Sequence, residues 1–407
     1  MDYFRTVVII LESLVYIYLM LAAIYIFVFA LAGVFYKQKQ NENPEKLRRF
    51  AVLIPGYKED SVIVSVAEIA SQQNYPTDMF EVIVIADSFK SSTLEKLKEL
   101  PIRVVEVSFE VSKKSKALNK CMEIIGDDYD VAFILDADNI MEPGVLLKIN
   151  AVFDKGFSAV QGHRTAKNLN SKFAILDAIS EEINNSIFRK GHRVLGISSA
   201  LIGSGMGINY KLFKETMRTI DSVGEDKEVE LKLIRQGYKI AYVSDANIFD
   251  EKTQKPDVFV NQRRRWIAAQ VAYFRTHFLD GLKMLITKGN FDYFDKVIQM
   301  VQPPRILLSG GLFILSMIYG LIYLVPIRFL QPYFFPGFYA WLALFIVTAI
   351  AMIFSVPAKF YNKRTFVALL SLPYGFMLMI LSLMKMKGAS KKFIHTEHSH
   401  VEDIKHN

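Results

Sequence analysis

Cysteine is almost absent from this chain of 407 residues, in which Cys121 is the only one. A single thiol excludes an intrachain disulfide, and the composition gives no sign of an oxidising compartment. Charged residues, at 22%, are too frequent for a protein that lies wholly in lipid. Hydrophobic residues, at 52%, and a mean hydropathy of +0.23 exclude a disordered chain. The composition therefore indicates a membrane part and a water-facing part.

The N-terminal apolar run covers residues 6–36 and is long enough for one tilted membrane helix. A signal peptide is the alternative, but its apolar core would have only about 7–15 residues. We therefore expect a transmembrane anchor over 1–36. Basic residues are more frequent after the run than before it, which places the following segment in the cytoplasm. The residues concerned are Arg5 before the run and Lys37, Lys39, Lys46, Arg48 and Arg49 after it.

Three further apolar runs follow in the last quarter of the chain, at about 306–327, 338–357 and 365–384. The first two predict a transmembrane hairpin. Three full crossings would leave the C-terminus outside, whereas the lysines after residue 384 favour the inside. Pro373 and Gly375 interrupt the third run, so we predict a re-entrant or partly interfacial segment there.

The chain is thus expected to be a multi-pass protein of the inner or plasma membrane with a cytosolic domain. The predicted parts are an anchor at 1–36, a cytosolic domain at 37–280, an interfacial amphipathic segment at 281–304, a membrane block at 305–385 and a cytosolic tail at 386–407. The net charge of +8 is concentrated beside the apolar runs. This placement favours contact with anionic lipid over nucleic acid, and we expect no nucleic-acid partner.

The middle of the chain alternates short apolar runs with segments of helical spacing. The runs predict strands at 51–55, 81–86, 102–107 and 131–135, and the segments predict helices at about 60–73, 91–100 and 114–125. Strands that are apolar on both faces and alternate with helices are typical of a parallel sheet covered by helices. The sequence therefore predicts an α/β domain with its ligand beyond the carboxyl ends of the strands.

Acidic residues follow three of these strands. Glu59 and Asp60 follow the first, Asp87 ends the second, and Asp136-Ala137-Asp138 follows the fourth. Two acids two residues apart are common in surface loops, but this pair directly follows a buried strand. Such a pair can face one hard divalent cation, either magnesium or manganese, that carries a diphosphate. The glycines from 203 to 207 lack the context of a phosphate-binding loop and predict a tight turn.

Two further clusters have both a structural and a functional interpretation. Glu225-Asp226 begins a predicted helix that ends at Gly237. The acids either complement the helix dipole or supply a general base. The segment Gln262-Arg263-Arg264-Arg265-Trp266 either meets anionic lipid or binds a diphosphate beside an aromatic platform for a sugar ring.

Together these motifs resemble the membrane-integrated family 2 glycosyltransferases, which include cellulose, hyaluronan, chitin and poly-N-acetylglucosamine synthases. The resemblance runs from about residue 50 to 270. Its motifs are Pro55-x-Tyr57-x-Glu59, Gln73-Asn74-Tyr75-Pro76, Asp87, Lys114 with Asn119, Asp136-x-Asp138, Glu225-Asp226 with Gly237-Tyr238, and Gln262-x-x-Arg265-Trp266. A weaker likeness, to a cytosolic tail motif, lies at Phe393-x-His395-Thr396-x-His398.

The resemblance implies a GT-A (Rossmann-like) fold and an inverting, metal-dependent hexosyltransferase with a UDP-sugar donor. Its implied catalytic residues are Glu225 and Asp226, with Asp226 as the base, and its acceptor residue is Trp266. Asp136 and Asp138 would bind Mg²⁺ or Mn²⁺. The implied donor-binding residues are Pro55, Tyr57, Glu59, Asp87, Lys114, Asp136, Gln262 and Arg265.

A processive enzyme that builds a β-linked extracellular or capsular polysaccharide is the favoured function. Its partners would be the growing glycan or a lipid acceptor, membrane lipid and export proteins. The alternative is a non-processive enzyme that adds one sugar to a lipid-phosphate carrier or glycolipid. A transporter with a cytosolic regulatory domain is disfavoured because the apolar runs hold few ionisable residues.

Overall fold

The computed structural model describes residues 2–38, 44–222, 224–252, 256–324 and 336–384. The strands are β1 (Phe50–Tyr57), β2 (Phe80–Asp87), β3 (Arg103–Val107), β4 (Val131–Ile134), β5 (Ile140–Met141), β6 (Ala159–Ala166), β7 (Met206–Asn209) and β8 (Ile240–Asp250). The helices up to the last strand are α1 (Asp2–Val34), α2 (Ile63–Ser71), α3 (Ser91–Lys98), α4 (Lys114–Ile125), α5 (Val145–Phe153), α6 (Lys172–Asn184), α7 (His192–Val194), α8 (Tyr210–Met217) and α9 (Glu225–Arg235). The four predicted strands and the first three predicted helices of this domain are confirmed, with their ends moved by a few residues.

The C-terminal part is helical in its described residues. Its helices are α10 (Pro256–Lys288), α11 (Phe291–Gln299), α12 (Arg305–Leu324), α13 (Phe338–Ser355), α14 (Lys363–Leu369) and α15 (Leu372–Met384). A π-helix covers Asn185–Gly191, and a 3₁₀ turn covers Ala358–Phe360. The expected domain limit at 280 falls inside α10, and the predicted tail motif with its histidines lies outside the described residues.

The sheet has the strand order β3-β2-β1-β4-β7-β6-β8-β5. Strands β1 to β4 are parallel to their neighbours in this set, and β6 is parallel to β8. However, β7 is antiparallel to both β4 and β6, and β5 is antiparallel to β8. The expectation of a parallel sheet was therefore wrong for the second half. Buried strands look alike in either direction, so the local pattern could not reveal the reversal.

Both faces of the sheet are covered, because successive side chains of a strand point to opposite faces. In β1, Ala51 and Leu53 pack with Leu118 of α4 and Phe213 of α8. The alternate residues of β1 pack on the other face against α2 and α5, in a cluster that includes Phe50, Val52, Ile54, Ile63 and Ile149. This core holds the carboxyl ends of β1, β2 and β4 in fixed positions at one edge.

Three described helices are long and apolar enough to cross a membrane: Tyr3–Val34, Arg305–Leu324 and Phe338–Ser355. A fourth crossing is added if the bent pair α14 and α15 forms one span, with 46° between its two helices. The break falls in the third predicted run. Such a bend suits either a broken span or a re-entrant loop, so the re-entrant segment stays a prediction.

Helix α1 also contacts α11 and the segment that follows it. Tyr18 donates to the Val301 carbonyl at 2.6 Å, and Tyr25 donates to Asp295 at 2.7 Å. Near its end, α1 approaches the π-helix so closely that a Cβ on Gly191 would lie 2.0 Å from the Phe29 carbonyl oxygen. The first candidate membrane helix thus packs backbone to backbone against the π-helix that follows α6.

Candidate functional site

The ends of β1 and β2 form one side of the site. Tyr57 is paired with Asp87 in the parallel register, and Pro55 is paired with Ile85. The residues that follow, Lys58 and Ser88, have φ angles of 56° and 62°. Left-handed backbone in non-glycine residues is uncommon and concentrates at functional sites. Both strands therefore turn sharply where the sequence predicts nucleotide contacts.

Asp87 and Glu59 are the buried acids on this side, with 2% and 8% of their surfaces exposed. The Ser88 hydroxyl donates to Asp87 Oδ1 at 3.0 Å, and the Lys58 N–H donates to the Asp87 carbonyl at 3.1 Å. Glu59 begins the turn into α2, where its carbonyl accepts from the N–H of Ile63. Both acids thus lie in ordered turns at the sheet edge.

Asp136 and Asp138 follow β4 and belong to one short turn. The Asp136 N–H donates to the Ser204 hydroxyl at 3.0 Å. Asp138 is 8% exposed. With the nitrogen of its amide turned toward the acids, Asn139 donates to Asp138 Oδ1 at 3.1 Å and to Asp250 Oδ1 at 3.2 Å. The sequence did not indicate these roles of Ser204 and Asn139, because the contacts Ser204–Asp136 and Asn139–Asp250 join residues that are distant in the chain.

Lys114 joins the aspartate turn to the start of α9. As the first residue of α4, it places Nζ 2.5 Å from Asp136 Oδ1, 2.7 Å from the Gly203 carbonyl oxygen and 3.4 Å from Glu225 Oε1. Burial by itself would lower the pKa of Lys114, but the carboxylates of Asp136, Glu225 and Asp226 outweigh it and hold that pKa above its ordinary value. The structure thus brings these four predicted residues together.

The turn at Gly203 lies close to both Lys114 and Asp226. Gly203 and Gly205 have φ angles of 81° and 65°, a conformation that favours glycine. A Cβ on Gly203 would lie 3.6 Å from both Asp226 Oδ2 and Lys114 Nζ. The tight turn was predicted correctly, but its place in the site could not be read from a local pattern.

Glu225 and Asp226 begin α9, as the sequence predicts. Glu225 is 7% exposed, and burial raises its pKa to about 7 although Lys114 opposes the shift. Asp226 Oδ1 accepts from the Lys227 N–H at 2.9 Å. The Tyr273 hydroxyl donates to the Gly224 carbonyl at 3.0 Å and so ties the start of α9 to α10.

Gln262, Arg265 and Trp266 lie on α10. Burial lowers the pKa of Arg265, and the nearby Glu225 carboxylate offsets part of that effect. Trp266 is 39% exposed. Gln262 lies one helical turn before Trp266 and is partly buried. Their neighbour Arg263 is held by Asp177 at 2.9 Å, a contact that sequence reasoning missed.

The donor set suits a hard cation shared with a phosphorylated ligand. Among the described residues, no group of three or more His, Cys, Asp or Glu side chains is arranged to hold a metal ion. Mg²⁺ commonly takes only one or two carboxylates from the protein, together with phosphate and water oxygens. Asp136 and Asp138 fit this pattern, and Asp136 also accepts from the Lys114 ammonium at 2.5 Å.

Sequence comparison places residues 48–269 in the glycosyltransferase like family 2. The probable glycosyltransferase YdaM of Bacillus subtilis (strain 168) is 26% identical over 243 residues, which are 56% of this chain and 56% of YdaM. The cellulose synthase catalytic subunit (UDP-forming) of Pseudomonas fluorescens (strain SBW25) is 24% identical over 244 residues, which are 57% of this chain and 32% of the synthase. The chain thus matches about half the length of one relative and a third of the other.

A structural relative is the mannosyltransferase PcManGT from Pyrobaculum calidifontis, solved in complex with GDP-Man and Mn²⁺. The match has a TM-score of 0.51 at 14% identity and covers 86% of this chain and 99% of PcManGT. At this identity it shows the fold alone, which is the mixed α/β GT-A fold predicted from sequence. Because the family match covers more than half of the chain, this protein belongs to the glycosyltransferase like family 2.

Proposed function

We propose that the protein transfers a sugar from a UDP-sugar to an acceptor hydroxyl at the membrane, with inversion at the anomeric carbon. The observation that supports this most is the constellation of Lys114, Asp136, Glu225 and the Gly203 turn beside Asp226. A basic side chain, a metal-binding acid and an acidic helix start converge there at the ligand-binding edge of the sheet. Donor activation and proton removal can therefore occur side by side.

The donor lies across the strand ends in this proposal. Tyr57, Glu59 and Asp87 bind the uridine, and Pro55 shapes the strand end beneath it. Asp136 and Asp138 would hold a magnesium or manganese ion, which would supply Lewis-acid stabilisation to the diphosphate oxygens. The basic and amide side chains Lys114, Arg265 and Gln262 contact the same diphosphate, because charged donors form strong hydrogen bonds to phosphate.

Asp226 is the proposed base. It accepts the proton of the acceptor hydroxyl while the acceptor oxygen bonds to the anomeric carbon. The bond from that carbon to the diphosphate breaks, and UDP leaves with the electron pair. A single displacement inverts an α-linked donor into a β-linked product. Positioning and electrostatics supply most of the rate, and Trp266 stacks on the acceptor sugar.

Processive synthesis of a polysaccharide is the favoured outcome, supported by Gln262-x-x-Arg265-Trp266 next to candidate membrane helices. The basic residues after α1 support a cytosolic catalytic domain on an inner or plasma membrane. Membrane lipid and export proteins are the further partners in this proposal.

A cavity supports the second candidate, which is transfer of one sugar to a lipid-phosphate carrier. It has a volume of about 440 Å³ and is lined mainly by apolar residues of α1, α10 and the segment before α12, with Arg275 at its wall. Tyr18 of the candidate membrane helix contributes to the same wall. An apolar chain with a phosphate group would suit this lining.

The test uses membranes with a panel of UDP-sugars and either Mg²⁺ or Mn²⁺, and records UDP release and product size. Long products support processive synthesis, and single additions to extractable lipid support the second candidate. Asp226→Asn should abolish transfer while UDP binding is retained. Substantial transfer by this variant would show that another group is the base.

A further inference from the structure

Arg263 lies between two aromatic rings on one face of α10. Its guanidinium carbon is 4.5 Å from the ring centroid of Trp266 and 5.1 Å from that of Phe259. The three residues are spaced by four and three positions, which places them on one side of a helix. Because a cation within about 6 Å attracts an aromatic face, Arg263 favours one orientation of the Trp266 ring.

Asp177 of α6 holds this guanidinium in place. Arg263 Nη2 donates to Asp177 Oδ1 at 2.9 Å, and the two side chains are only 16% and 17% exposed. A charge-assisted hydrogen bond that is largely shielded from water is stronger and more directional than a surface ion pair. The contact therefore fixes the Arg263 guanidinium, and with it the Trp266 ring, relative to α6.

The same helix also reaches the metal side of the site. One turn after Asp177, Glu181 accepts from Arg164 at 2.9 Å and from Arg189 at 3.1 Å. Arg164 in turn lies 3.7 Å from Asp250, the acid that the Asn139 amide joins to Asp138. Helix α6 is thus joined to the tryptophan of α10 through Asp177 and Arg263. It is joined to the aspartate turn through Glu181, Arg164 and Asp250.

We propose that Asp177 is a positioning residue for the acceptor subsite. Through Arg263 it sets the plane of the Trp266 ring at a fixed place relative to the metal-binding turn. The inference rests on the proposed role of Trp266 in acceptor binding. Loss of the Asp177 charge should then weaken acceptor binding and leave donor binding intact.

The two tryptophans of the chain allow a direct optical test. Trp341 is 2% exposed inside the membrane block, whereas Trp266 is 39% exposed. In a Trp341→Phe background, acrylamide quenching reports on Trp266 alone. Trp341 packs against Tyr16 and Tyr319, so its replacement tests the packing as well. If the Trp341→Phe protein does not fold, the Trp266 emission is obtained by subtracting the emission of a Trp266→Phe protein from that of the protein with both tryptophans.

The variants are Asp177→Asn and Asp177→Glu in the full-length protein, with Asp280→Asn as the control. Asp280 of α10 forms a 2.7 Å ion pair with Arg235 of α9, about four helical turns beyond the tryptophan. Acceptor binding is measured as the KM for cellotetraose or chitotetraose, whichever stimulates UDP release. Donor binding is measured as the KM for the UDP-sugar in the slow UDP release that occurs without acceptor.

Asp177→Asn should raise the acceptor KM about tenfold and increase Trp266 quenching, since it removes the anchor of a cation–π contact. The donor KM should stay unchanged. Asp177→Glu should keep most of the wild-type acceptor binding, and Asp280→Asn should change neither the acceptor KM nor the quenching. Unchanged quenching in Asp177→Asn, or an equal rise of both KM values, would overturn the proposal. An unchanged acceptor KM in Trp266→Ala would instead refute the proposed role of Trp266, whatever the quenching data show.

Discussion

Replacement of Glu225 by Gln should make the protein more stable at alkaline pH and leave its stability at acid pH nearly unchanged. In the folded chain the pKa of Glu225 is raised by burial to about 7, against an ordinary value of 4.5. A group with a raised folded pKa contributes its full stability below the unfolded pKa. That contribution is lost as the pH rises through the folded pKa.

The size of the effect follows from the two pKa values. Each pH unit between them corresponds to about 1.4 kcal/mol, so ionisation of Glu225 costs the folded state about 3 kcal/mol. A glutamine resembles the protonated acid and escapes this loss. The stability gap between variant and wild type should therefore grow from under about 1 kcal/mol at pH 5 to about 3 kcal/mol at pH 8.

Thermal unfolding of the detergent-solubilised proteins at several pH values measures this gap. At pH 8 the Tm of Glu225→Gln should exceed that of wild type by roughly 6–12 °C, given about 2–4 °C per kcal/mol for a domain of this size. Glu228→Gln, the same chemical change three residues along α9, is the control and should open a smaller gap. A Tm difference that is the same at pH 5 and pH 8 would refute the assignment of a buried, costly carboxylate.

Three further predictions concern single contacts. Lys114→Met removes the cation that lowers the pKa of Glu225, so the loss of stability on ionisation of Glu225 should begin at higher pH, with an overall stability loss of about 1–3 kcal/mol; a pH profile of Tm identical to wild type would contradict this. Gly203→Ala adds a side chain in left-handed backbone beside the proposed base Asp226, so transfer should fall with a stability loss of about 1–2 kcal/mol, and wild-type kinetics would argue against the site. Gly191→Ala should strongly reduce the yield of folded protein in size-exclusion chromatography, because its Cβ would meet a backbone carbonyl of α1 at 2.0 Å. Gly311→Ala, with open space around it, should have little effect in the same assay.

Much of the first half of the sheet could be predicted because each buried strand carries its own signal. The apolar runs before Glu59, Asp87 and Asp136 became β1, β2 and β4, and their acids met at one edge. Parallel neighbours must place equivalent ends together. The start of α9 at Glu225 was predicted for a similarly local reason, since acids at a helix start and a glycine after its end are local signals.

The second half of the sheet could not be predicted in the same way. The four residues of β7 run antiparallel to two neighbours, and a fully buried strand has the same composition in either direction. The π-helix at Asn185–Gly191 and its close contact with Phe29 also left no pattern in the sequence. Both features depend on partners that are distant in the chain, β4 and β6 for β7 and Phe29 for the π-helix.

The sequence by itself predicted apolar segments long enough to cross a membrane and an α/β domain, and it indicated which acids and basic residues are candidates for chemistry. Periodicity and motif order are local properties, so they could be read without coordinates. Only the tertiary structure decided that Lys114 lies between Asp136 and Glu225, that the Gly203 turn lies beneath Asp226, and that Asp177 holds the arginine next to Trp266. These contacts join residues that are distant in the chain, and only the packing of the core brings them within a few ångströms.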